Sequence, residues 1–265
     1  MSSLTQNGEL RDVLHKRSVI LEAVSDQPYT KPELTEILGT SRSTIDRGID
    51  DLESIDCVER HNSRYAPTTK GELALAEYTK YTNIMDSLSR AGDILNYLPS
   101  DSSVSLAFLD GVSVYPSDPN VPDSALKASD DLLAISTRMN GLAPTALSTY
   151  PDTIEGGVQG HGLSVEIVVE SNVLDSIIEV RSEAMARLAG YEDVEFYRTD
   201  VELPYALWIM EQEDGETAGM TVYNNGGIQG VLMNDSPAAV SWARKVYQGY
   251  RDNAVNVTES VAQTE

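Results

Sequence analysis

Cysteine is almost missing from this chain of 265 residues. Cys57 stands alone, which excludes an internal disulfide and a cysteine-built metal site. Three histidines are scattered without ligand spacing, so zinc and redox chemistry have no residues to rest on and no cofactor is implied. No run approaches the roughly eighteen apolar residues of a membrane span. The opening MSSLTQNGELRD has neither the basic nor the apolar region of a secretory leader. The expectation is a cytoplasmic protein with no membrane partner. Lysine is scarce as well: six of the nineteen basic residues, against 42 Asp and Glu and a formal net charge of −23.

Signs of catalysis are also wanting. The glycine-rich stretch 223-YNNGGIQG-230 lies between two apolar runs as a hairpin turn and opens no helix, so it makes no phosphate loop. His161, in 160-GHGLSVEIVVE-170, has no lysine at the spacing that phospholipase-type phosphoryl transfer needs. No serine or cysteine sits in a nucleophile motif. No catalytic residue is assigned, and the expectation is a protein that is not an enzyme.

The charge that is present is unevenly placed. Residues 1–80 carry a net −4 and residues 81–265 a net −19. An acidic body poor in lysine reads as adaptation to concentrated salt. At about 1 M salt the Debye length is near 3 Å, so the body's repulsion of a polyanion is largely screened. Counterion release weakens under the same conditions, which leaves binding to short, well-oriented contacts.

The opening segment is patterned for such contacts. Leu10, Val13, Leu14, Leu21 and Val24 recur at helical spacing until Asp26-Gln27-Pro28. A second helix follows, with Thr30 and Glu33 at capping-box spacing, Pro32 in the tolerant first turn and Gly39 at a left-handed end. Thr40 or Ser41 then caps a third helix whose Ile45, Ile49 and Leu52 face inward. Arg42, Ser43, Thr44, Asp46 and Arg47 are left outward near its start, where a recognition helix presents side chains to DNA. One of the two arginines is expected to read a base and the other to hold a phosphate. Two short alternating strands follow around a polar tip, Arg60, His61, Asn62, Ser63 and Arg64. Helix, helix, turn, helix and wing give a winged helix-turn-helix over 1–70. Its double-stranded DNA contacts are expected from Thr40, Ser41, Arg42, Ser43, Thr44 and Arg47 together with the wing tip.

A proline-free stretch from Thr69 to Leu98 predicts a connecting helix over 71–99. Tyr81, Ile84, Leu88, Ala91, Leu95 and Leu98 repeat at spacings of three and four, the seam of a short coiled coil. A homodimer through this helix suits a pseudo-palindromic DNA site. The open alternative is that the stripe packs on its own domain.

Residues 100–254 predict a mixed α/β domain for ligand sensing or pairing. Candidate strands are 104–109, 132–136, 163–169, 194–198, 205–211, 219–223 and 228–233, with helices over 171–188 and after Ser236-Pro237. The overall class is α+β. Arg138 and Arg198 stand at the ends of candidate strands, where ligands collect in open sheets. They are expected to flank a site for a small anionic metabolite, unless each simply pairs with a nearby acid. Residues 255–265, VNVTESVAQTE, read as a flexible tail.

With its segments 34-LTEILGTSRSTIDRGIDDLE-53, 60-RHNSRYAPTTKG-71 and 192-EDVEFYRTDVELPYALWIME-211, the chain resembles archaeal winged-helix transcription regulators. It is similar especially to the haloarchaeal group whose C-terminal domain is of the methanogenesis and filamentation regulator type. Related sugar-sensing regulators carry a phospholipase-D-like domain without catalysis in this place, and the resemblance implies such a fold here. It supplies no ligand residues. The expected function is a sequence-specific, dimeric DNA-binding regulator of a salt-adapted archaeon. The alternative is a protein-interaction module of the transcription machinery whose winged helix does not bind DNA.

Overall fold

The computed structural model describes residues 2–100 and 102–264. The chain divides into two compact units, Met1–Asn83 and Ile84–Glu265. The boundary falls inside one helix, so the expected connecting segment over 71–99 is shared between the units and is no separate domain.

In the first unit, helices α1 (Ser2–Asp26), α2 (Lys31–Ile37) and α3 (Arg42–Ser54) precede a hairpin of β1 (Val58–His61) and β2 (Arg64–Pro67). The first part of α4 (Thr69–Leu95) follows. The capping box forms as its spacing requires: the Thr30 side chain accepts from the Glu33 N–H, and Glu33 accepts from the Thr30 N–H at 2.7 Å. Gly39, at φ +58°, makes the left-handed turn between α2 and α3. Ser41, not Thr40, is the N-cap of α3. Leu34, Ile45, Ile49, Leu52 and Leu21 are fully buried together. At about 1.5–3 kcal/mol for each such side chain, this small core is what holds α3 in place. Asn62 and Ser63, both at positive φ, form the two-residue turn of the hairpin.

The second unit is built on an eight-stranded mixed sheet. After α5 (Leu106–Leu109) come β3 (Ser113–Pro116), a 3₁₀ segment (Pro122–Leu126), α6 (Lys127–Leu133) and β4 (Arg138–Ala143). Then follow α7 (Tyr150–His161), β5 (Ser164–Glu170), α8 (Ser171–Ala189) and β6 (Val194–Thr199). The chain ends with β7 (Ala206–Gln212), β8 (Gly215–Asn224), β9 (Gly227–Asn234), α9 (Pro237–Arg251), β10 (Val255–Asn256) and α10 (Thr258–Ala262). The strand order is β10-β6-β5-β4-β7-β8-β9-β3. Strands β4, β5 and β6 run parallel and the other pairings are antiparallel.

Alternation along the strands feeds two cores. On β7, Leu207 and Ile209 join one cluster with α9, α5 and the end of α4, while Trp208 and Met210 join the other with α6, α7, α8 and α10. The result is a sheet covered by helices on both faces.

Several expectations are corrected here. The run 104–109 is not a strand: Ser105 caps the one-turn helix α5 by accepting from the Ala107 N–H. The run 132–136 is the end of α6 and its turn, with the Ser136 hydroxyl donating to the Leu132 carbonyl at 2.8 Å. A short apolar run is compatible with either state. The tail 255–265 is not loose up to residue 264. Val257 donates to the Phe196 carbonyl at 2.9 Å, Thr258 Oγ1 accepts from the Phe196 N–H at 2.9 Å, and Val261 is 2% exposed within the core.

The seam of α4 is corrected in part. Ala91 is fully buried in the body core, and Leu88, Leu95 and Leu98 pack against that core. Those four residues serve the core of their own unit, the alternative left open for the stripe. Ile84 is half-buried and Tyr81 is exposed.

Candidate nucleic-acid interface

The start of α3 is open to solvent. Ser41, Arg42, Ser43, Thr44 and Arg47 are exposed and Thr40 is half-buried. The Ser41 hydroxyl accepts from the Thr44 N–H at 3.2 Å and lies 3.0 Å and 2.8 Å from the hydroxyls of Ser43 and Thr44. Three hydroxyls are thus gathered at the helix N-terminus, where free N–H groups and the helix dipole favour an anion. Arg42 is 86% exposed, with only a long 3.9 Å approach to Asp46. Arg47 makes no ion pair among the described residues. It lies directly opposite the buried stripe of Ile45, Gly48, Ile49 and Leu52.

The acids of α3 are held by other elements. Lys31, at the first position of α2, reaches Asp46 at 3.1 Å and Asp50 at 3.5 Å. Burial works against its charge, but the hydrogen bond to Asp46 and the charges of Tyr65, Asp50 and Asp46 hold the Lys31 ammonium above its ordinary range. Arg17 of α1 donates to Asp51 at 2.9 Å. These two partners were not legible in the sequence, because nothing in spacings of fifteen to thirty-four residues announces a contact.

On the hairpin, Arg60, His61, Asn62 and Ser63 are exposed at the tip. Arg60 approaches the Ser63 hydroxyl at 3.4 Å and lies over the Tyr65 ring, and His61 stands 2.9 Å from Glu59. Arg64 is placed differently from the rest of the expected tip. Its guanidinium donates to the Pro28 carbonyl and to Glu33, each at 2.8 Å. It fastens the hairpin to the start of α2 and is not a free cation. The backbone and side chain of Thr30, and then Arg64, hold the Glu33 carboxyl below its usual range.

The expected anion site of the body does not form. Arg138 opens β4, level with Ser164, whereas Arg198 is level with Val169 near the end of β6. Five positions of parallel strand separate those levels, roughly 16 Å. Arg198 donates to Ser171 at 2.9 Å and to Asp175 at 2.8 Å, and Arg138 lies 3.9 Å from Glu211. Each pairs with an acid on its own edge. The error followed from placing a strand over 132–136, which set Arg138 at the wrong end.

The chain thus carries an open helix start in its small helical unit and a separate mixed-sheet body. Two families divide the chain accordingly. Residues 10–90 match the HVO_A0261 N-terminal domain, and residues 122–253 match the middle domain of the methanogenesis regulatory protein FilR1. No curated protein matches the chain. Among solved structures, that of TrmBL2, an archaeal chromatin protein, is 12% identical, covering 92% of this chain and 94% of its own with a TM-score of 0.42. Nuc from Salmonella typhimurium, a phospholipase D family member, is 12% identical over 55% of this chain and 96% of its own, with a TM-score of 0.42. NucT from Helicobacter pylori is 12% identical over the same shares, with a TM-score of 0.39. These scores lie below 0.5 and fix neither fold nor function.

Proposed function

We propose that the protein is a sequence-specific DNA-binding regulator of the winged-helix type, adapted to high salt and acting as a homodimer in the cytoplasm. In this reading the body is a sensing or pairing domain without chemistry of its own. The observation that carries the reading is the outward start of α3. Arg42, Ser43 and Arg47 are exposed on a helix whose opposite face is fully buried, while Lys31 and Arg17 engage its carboxylates. Arg47 is assigned to a base edge because it stands opposite the core. Arg42, at the first turn beside the hydroxyl cluster, is assigned to phosphate.

The test is binding to a site mapped from the genome, measured at matched high salt. Arg47→Ala is expected to cost about 1–3 kcal/mol and to relax one base position, whereas Arg42→Ala weakens all sequences alike. Unchanged affinity in both variants would remove α3 from the interface and favour a winged helix that binds protein.

A further inference from the structure

A cavity of about 100 Å³ lies in the body, between the sheet and the helices α6 and α7. Its walls are mostly apolar: Trp208 and Met210 of β7, Met139 of β4, Ile167 of β5 and Ile154 of α7. Its polar side chains include two hydrogen-bonded pairs. The hydroxyls of Tyr150 and Tyr223 stand 3.1 Å apart, and Trp208 Nε1 donates to the buried Thr221 hydroxyl at 3.4 Å. Burial holds both tyrosines above their ordinary range, so they stay neutral. Within the pair only one hydroxyl donates to the other, which leaves the accepting tyrosine's own proton for a further acceptor.

No lysine or arginine is among the described lining residues, and the one carboxylate is Asp130. Partial burial and the neighbouring Asp131 and Asp123 raise Asp130 above the ordinary carboxylate range. An anion entering here meets no counter-charge and three acids nearby. Ligand sites in general join apolar walls to a few convergent polar groups; at about 100 Å³ this cavity is smaller than the roughly 150 Å³ that holds a benzene ring, so a single ring enters only as the flexible Met139 and Met210 side chains yield.

We propose that this cavity binds a small uncharged aromatic molecule bearing one hydroxyl, of the phenol class, with its ring among Trp208, Met139 and Met210 and its oxygen at the Tyr150–Tyr223 pair. This deepens the sensing role proposed for the body. It is tested on the full chain without DNA, so its outcome is independent of whether α3 binds DNA.

The experiment titrates phenol, benzene and benzoate into the protein in constant high salt. The midpoint of thermal unfolding and the methyl signals of the methionines are followed. Phenol is expected to raise the midpoint saturably and benzoate to leave it unchanged. The methyls of Met139 and Met210 should shift, while that of Met220, in the core on the other face of the sheet, should not. Ala206→Leu, which fills the cavity from β7, should abolish the response. Tyr223→Phe should reduce the preference for phenol over benzene roughly threefold to tenfold, the worth of one hydrogen bond. The proposal is overturned by an unsaturable response to phenol, by an equal response to benzoate, or by unshifted Met139 and Met210 signals. Should Ala206→Leu fail to fold, the methyl shifts of the wild-type chain decide.

Discussion

Alanine at Gly71 is expected to destabilise the N-terminal unit, although it replaces glycine within a helix. Gly71 stands in the first turn of α4, its N–H donating to Thr68 Oγ1 at 3.0 Å. A Cβ there would lie 2.0 Å from the Cys57 carbonyl oxygen and 2.9 Å from its carbon. Carbon–oxygen contacts settle at about 3.3 Å or more, so a displacement of more than an ångström is needed. The carbonyl is poorly placed to retreat. It accepts from the Thr68 N–H at 3.0 Å, and the Cys57 N–H donates to the Leu52 carbonyl at 2.9 Å within a fully buried pair of residues. Helix propensity favours alanine by about 1 kcal/mol, and overpacking at so short a contact with fixed backbone opposes it by about 2–3 kcal/mol, the upper part of the usual range. The second effect should win, with a net loss of about 1–2 kcal/mol. Cys57 supplies the assay, because it is the sole thiol and is buried: its rate of reaction with a thiol reagent reads the opening of this unit. At about 1.4 kcal/mol per tenfold, the rate should rise roughly fivefold to thirtyfold. Gly92→Ala is the control, since it lies in the same helix with no atom within 4 Å of the added carbon, and its Cys57 rate should not rise. A Gly71→Ala protein that reacts no faster than wild type would refute the argument.

Glu33→Gln tests the capping box through pH. Because the folded carboxyl is held below the ordinary value of 4.5, its ionised form stabilises the unit fully above that value and ceases to do so as pH falls through the lowered one. The stability difference between wild type and Glu33→Gln in urea unfolding should therefore be constant near neutrality and shrink below about pH 4.5; a difference that grows in acid would contradict the assignment. Val261→Ala removes two methyl groups from the core under α10 and should cost the body about 1–3 kcal/mol in thermal or urea unfolding, whereas no change would mean that 255–264 is not a packed element.

The features legible in the sequence were those governed by neighbours. Thr30 and Glu33 announce the start of α2 because a capping box closes within one turn. Gly39 marks the end of the same helix because only a residue tolerant of positive φ fits there. The hairpin turn within 223–230 was legible for the same reason. Features that depend on distant residues were not. The strand β4, RMNGLA, has little alternation to betray it, and it is recognised only by its pairing with β5 and β7. The stripe on α4 has the spacing of a coiled coil, but periodicity says only that a face is buried, not against what. In the structure its later turns lie on the core that includes Phe108, Val112 and Leu232. Arg64 looked like a tip cation because charge and position suggested it; the Pro28 carbonyl and Glu33, more than thirty residues earlier, fixed it.

The distribution of ion pairs bears directly on how so acidic a chain could offer the surface proposed above for DNA. Net charge acts over distance, and at high salt that distance shrinks to a few ångströms. What then matters is the charge within contact range of the groove. On α3, four acids, Asp46, Asp50, Asp51 and Glu53, outnumber two arginines, and left alone the helix would repel a phosphate at any ionic strength. Lys31 from α2 faces two of those acids and Arg17 from α1 a third, all three on the helix that also presents Arg42 and Arg47. Neither Lys31 nor Arg17 is well exposed, with side chains at 25% and 20%, so their worth is less in touching a partner than in cancelling charge beside it. Arg64 does the same for Glu33 at the foot of the hairpin. Arg47, and Arg42 at 3.9 Å from Asp46, are thus left outward at the start of α3 because the scaffold, not α3 itself, supplies most of the counter-charge to its acids.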